Sequence, residues 1–105
     1  MIYMDIDKEA IPYHFDMDIA GDEFTFAVDY NQRFDYFTMS LYKGDQLIAL
    51  GERITYGRAL FSTYPDDDNL PQYPIVPFDE VGKEDRVGWD QLGNTVFLFI
   101  GDPDE

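Results

Sequence analysis

Few residue types in this chain could carry chemistry. His14 is the only histidine, and it alternates with apolar neighbours on the polar side of a strand-like run. Histidine serves as acid, base, pH sensor or metal ligand only when partners converge on it. A serine–histidine–acid constellation would have to recruit Ser40 or Ser62, and neither sits in a nucleophile-elbow context. His14 therefore reads as a solvent-facing strand residue. With no cysteine present, disulfides and thiolate metal sites are excluded. Asp66-Asp67-Asp68-Asn69 groups oxygen ligands that suit a hard cation, but lacks the spacing, glycine and distal glutamate of a calcium loop. Asp16 and Asp18, followed by Gly21, begin that spacing. It then fails, because Ala20 and Ala27 occupy positions that need oxygen ligands. Weak, incidental cation binding is the expectation for both. No pair of carboxylates is marked out for glycosidase work, and the eight glycines never cluster into a phosphate cradle. No catalytic, cofactor-binding or metal-binding residue is expected.

Charge narrows the partners. The 105 residues hold 22 Asp and Glu against 7 Lys and Arg, a formal net charge of -15. Nucleic acid is bound chiefly through cationic contacts to phosphate, which so few basic residues cannot supply. Anionic membrane surfaces are excluded on the same ground. A basic protein partner, or a neutral one met through apolar contacts, fits. The chain is 45% hydrophobic and 17% aromatic, enough to build a core. One domain over residues 1–105 with short flexible termini is expected. No secretion signal or bilayer-length apolar run appears, so the expectation is a soluble, uncleaved chain of a reducing compartment.

The elements that must position these residues are read from a two-fold period. Alternation predicts strands over 11–19, 24–30 and 36–43. The tight turn Lys43-Gly44-Asp45 pairs a fourth strand, 46–50, back onto the third. Gly51 interrupts that strand as a bulge or bend, with a resumption at 54–56. Residues 58–64 offer at most a helical turn. Pro71, Pro74 and Pro77 restrict 73–78 to an edge or irregular extended segment. Residues 79–94 form a long polar loop. The apolar run 95–100 reads as a central strand buried on both faces. The fold class is all-β: a small β-sandwich or partly open barrel of about six or seven short antiparallel strands. Phe26, Val28, Phe37, Met39, Leu41, Val96 and Leu98 are the expected core.

Eight tyrosines, nine phenylalanines and Trp89 stand out. Most such residues fill thin β-cores, but tyrosine and tryptophan are also enriched where proteins meet. Tyr73, Ile75, Phe78 and Trp89 are the candidate interface residues. The first three lie in a segment whose edge should offer unpaired backbone groups, and Trp89 lies in a polar loop.

Several fragments, taken in order, resemble one family. They are Phe24-x-Phe26 running into Tyr30-Asn31-Gln32-Arg33, the strand from Tyr36 to Tyr42, and Lys43-Gly44-Asp45 with Leu47 and Gly51. Leu60 to Tyr64, Leu70-Pro71, Phe78-Asp79 and Asp90-x-Leu92-Gly93 leading into Val96-Phe97-Leu98-Phe99 complete the order. The chain is similar to the small baseplate plug proteins of contractile-tailed bacteriophages. It departs from the pattern in having Phe34-Asp35-Tyr36-Phe37 where a tryptophan is common, and Gln72 after Pro71 where glycine is usual. The resemblance implies an all-β virion protein of the central tail baseplate, without catalytic residues, made in the host cytoplasm. It implies hub, tube or wedge subunits as partners, with self-association left open. The alternative is an acidic binding module, such as a DNA-mimicking inhibitor.

Overall fold

The computed structural model describes residues 2–64 and 69–101, and seven strands run through them. In chain order they are β1 (Ile2–Met4), β2 (Tyr13–Ile19), β3 (Asp22–Asn31), β4 (Tyr36–Lys43), β5 (Gln46–Arg53), β6 (Ile75–Phe78) and β7 (Phe97–Ile100). Strands β2 to β5 form a four-stranded antiparallel meander, and β7 lies between β1 and β6 in a separate three-stranded antiparallel sheet. The arrangement is a sandwich of two open sheets rather than a closed barrel. The only helical element among the described residues is a single 3-10 turn, Lys8–Ala10.

Turn chemistry sets the meander. Ile19 pairs with Asp22 across the two-residue loop Ala20-Gly21, where both residues have positive φ, 55° and 87°. Such a loop matches the right-handed twist of the strands it joins. Alternation then sends Phe24, Phe26 and Val28 inward from β3, and Phe37, Met39 and Leu41 inward from β4. Met4, Ile75, Leu98 and Ile100 meet them from the second sheet, with Val96 beside β7 in the same core. Phe26, Phe37, Met39, Leu41, Val96 and Leu98 have no exposed surface, and Val28 keeps only 1%. The seven expected core residues are therefore all buried, within a larger core that also takes in Ile19, Ile54, Leu60 and Leu92.

The differences are local. β5 does not stop at Leu50 but continues to Arg53, absorbing two register irregularities opposite Met39, Leu41 and Tyr42, with Gly51 at φ 61°. No strand resumes at 54–56. Residues 60–64 turn without forming a helix, because Phe61 takes φ 62° and gives its N–H to the Glu52 carboxylate. β1 had no sequence signal of its own; three residues hold as a strand because β7 pairs with each of them. β6 is an edge strand, but its outward acceptors are taken. The Ile75 carbonyl accepts the Leu60 N–H, and the Pro77 carbonyl accepts the Gly57 N–H. The expectation of unpaired backbone groups on this edge is thus corrected for its carbonyls, which segment 57–60 covers. The acidic run Asp66-Asp67-Asp68 and the tail from Asp102 lie outside the described residues.

Candidate functional site

Two surfaces gather the aromatic residues, and both are built by strand ends and the loops that return to them. The first surrounds Trp89. Residues 31–35 turn from β3 to β4, and Asp35 ends the turn at φ 55°. Its carboxylate accepts the Tyr30 hydroxyl at 2.6 Å, the Trp89 backbone N–H at 2.8 Å and the Arg86 guanidinium at 2.5 Å. One carboxylate thereby ties the loop before β7 onto the β3–β4 turn. Gly88 is part of the fit, because a Cβ there would lie 2.5 Å from the Asp35 carboxylate. The hydrogen bond from Tyr30, then that from Trp89, hold Asp35 below the usual carboxylate range. The same bond pushes the Tyr30 hydroxyl up to about 12.

The Trp89 ring stacks on Phe37 with centroids 6.0 Å apart and tilts against Tyr30 at 5.0 Å. Lys8 closes its outer side, donating to the Trp89 carbonyl at 2.6 Å with its ammonium 5.3 Å from the ring centroid. Trp89 is half-buried, one face in the core and the other, partly covered by Lys8, bordering an open cleft of about 700 Å³. Asp29, Asp35 and Asp90, with Lys8 among them, line this cleft with Tyr30 and Trp89. It offers an aromatic wall and an acidic rim.

The second surface is the outer face of the three-stranded sheet. Tyr3, Val76, Phe78, Phe97 and Phe99 point away from the core, opposite Met4, Ile75, Leu98 and Ile100. Tyr3 is 49% exposed and Phe78 46%. Tyr3 packs on Phe97 at 4.8 Å, and Phe78 stacks on Tyr56 at 5.7 Å. Asp79 fixes the chain beside Phe78: its N–H donates to the Tyr56 hydroxyl, and its buried carboxylate accepts the N–H groups of Val81, Lys83 and Glu84. Burial alone would raise this carboxyl, but the backbone donors outweigh it and hold it below the usual range. Of the four candidates, Phe78 stands on the outer face and Trp89 lines the cleft on a different part of the molecule. Tyr73 is half-buried against the core, and Ile75 is buried within it at 1% exposure. Sequence reading missed Tyr3, because its partner strand lies at the far end of the chain.

The residues weighed for catalysis are dispersed or occupied. His14 is exposed on β2 and shares a shallow groove with Ser40. Ser40 Oγ accepts the Gly51 N–H at 2.8 Å, so it braces the irregular part of β5. Ser62 is exposed in the 60–64 turn. Asp16 accepts the Thr25 hydroxyl at 2.6 Å. Among the described residues, no three carboxylates or histidines gather where they could hold a metal ion.

No curated protein and no solved structure matches the chain. A protein-family model does, described as the Cyanophage baseplate Pam3 plug gp18, and it matches residues 1–103. That match takes in both sheets, the Asp35 clamp and both aromatic surfaces, so it concerns the whole fold rather than a shared turn. By this match the chain belongs to the phage baseplate plug family, as a structural component of the virion's tail baseplate.

Proposed function

We propose that the protein works by packing rather than by turnover, docking through its aromatic surfaces on hub, tube or wedge subunits after synthesis in the host cytoplasm. The observation that carries this reading is the family match over residues 1–103. The geometry supports it: the two surfaces present rings that are already packed and anchored, so little side-chain freedom is lost on docking. Phe78 and Tyr3 supply the apolar contact on the outer sheet face. Trp89 and Tyr30 form the wall of a cleft whose acidic rim suits a basic partner segment. Ile75 lies in the core behind the outer sheet face, and Tyr73 packs partly buried against that core.

The test is reconstitution with the purified baseplate proteins encoded beside this chain, measuring affinity and thermal unfolding together. Replacing Phe78 and Tyr3 by serine should weaken association at least tenfold while leaving the melting temperature nearly unchanged. Association undisturbed by both changes would remove the outer face from the interface. A melting temperature that falls in step with affinity would make both residues structural.

A further inference from the structure

Two open sheets leave four strand edges, and three of them are protected. Segment 57–60 covers the carbonyls of β6, β1 is only three residues long, and β5 is bent by its two register irregularities. The fourth edge belongs to β2, which runs for seven residues in unbroken register against β3. Among the described residues, no backbone group pairs with its other side. The two-residue loop closes on the hydrogen-bonded pair Ile19–Asp22, and such pairs recur at every second position. Tyr13, Phe15 and Met17 therefore bond to β3, whereas the N–H and carbonyl groups of His14, Asp16 and Asp18 point to the open edge.

The side chains divide in the same way. His14, Asp16 and Asp18 are exposed on the solvent face, with Glu23 directly opposite Asp18 on β3. Asp16, Asp18 and Glu23 make no ion pair among the described residues. On the core side, Tyr13, Phe15 and Met17 stay half-buried, although Phe24, Phe26 and Val28 beside them are closed off from solvent. Tyr13 stacks on Phe15 and Phe15 on Phe26, with centroids 5.6 Å apart at each step. The core is left unfinished along this edge, where one more strand would cover it.

We propose that the β2 edge is a strand-addition site, which takes an extended basic segment of a neighbouring protein as a fifth strand of the meander. The segment pairs its backbone with His14, Asp16 and Asp18. Lysine or arginine opposite those residues meets the unpaired carboxylates, and apolar residues in between cover Phe15 and Met17. Charge selects this occupant at short and long range, because the local face is acidic and the whole chain carries -15. A second copy is disfavoured: pairing β2 with itself about Asp16 sets that carboxylate against its own counterpart. Only the source of the segment rests on the baseplate reading.

The test uses the full chain and a fluorescein-labelled peptide of alternating lysine and valine, matching the seven residues of β2, followed by anisotropy at about 0.15 M salt. N-methylation of the lysine amides, which face the edge, should weaken binding at least tenfold with every charge retained. N-methylation of the valine amides, which face away, should cost less than threefold. His14→Pro removes an edge-facing donor without altering a carboxylate, and should also weaken binding at least tenfold. Asp16→Asn combined with Asp18→Asn should weaken it at least threefold. Circular dichroism of each variant separates loss of the site from loss of the fold, and the methylated peptides decide the matter should His14→Pro fail to fold. No binding by the unaltered chain, or equal binding of the lysine-methylated peptide, would overturn the site. A dimer of the free chain that His14→Pro dissolves would also overturn it, by assigning the edge to a second copy. The assay contains no baseplate protein, so its failure would leave baseplate membership standing.

Discussion

The Asp79 carboxylate is buried beside an exposed aromatic face, and backbone N–H groups replace the water it has lost. Because its folded value lies below the ordinary one near 3.9, its stabilisation is present above that value and is lost as acid protonates the native state. The stability difference between the native chain and Asp79→Asn should therefore narrow from about pH 5 downward. Chemical denaturation at several pH values checks this, and a constant difference would deny the cradle. Tyr30 behaves in the opposite sense. With its hydroxyl pushed up to about 12, its bond to Asp35 supports the fold below pH ~10 and fades as pH rises toward 12. Tyr30→Phe should erase that alkaline loss. Little of this was legible in the sequence. Asp79 reads as one acid among many in a polar loop, and Asp35 only as part of the Phe34-Asp35-Tyr36-Phe37 departure from the family pattern. Trp89 was legible as unusual, but its packing on Phe37 depends on residues more than fifty positions away.

Strands that alternate and turn back on their neighbours could be read directly, because period and turn chemistry are both local. This holds for β3 and β4, whose inward residues are those expected, and for the pairing of β5. Strands that exist through distant partners could not be read so well. β1 has three residues, and the coverage of β6 by 57–60 follows from tertiary contacts that leave no period. The extension of β5 past Gly51 depends on Ser40 Oγ receiving the Gly51 N–H. Since the core lies between the sheets, truncation on either side should be costly. Leu41→Ala and Leu98→Ala should each destabilise the fold by about 2–5 kcal/mol. Reversible urea denaturation giving less than about 1 kcal/mol for both would contradict the burial described here.

At the scale of the molecule, the dominant property is an acidic body with aromatic surfaces. Long-range attraction to a basic neighbour acts before contact, whereas the aromatic contacts act after it. The association rate with such a neighbour should therefore fall as salt rises, while the dissociation rate stays nearly constant. Stopped-flow measurement at two ionic strengths separates the two, and a salt effect confined to dissociation would contradict the steering role. The role assigned to this chain is that of a packed part of the tail baseplate. It is tested most directly by purifying tail particles from cells that produce a tagged chain and locating it by electron microscopy. The tag should lie in the central baseplate of assembled tails, at a fixed copy number, with no turnover needed for its incorporation. Tails that assemble completely without the chain, while it is recovered bound to a nuclease or polymerase, would contradict it.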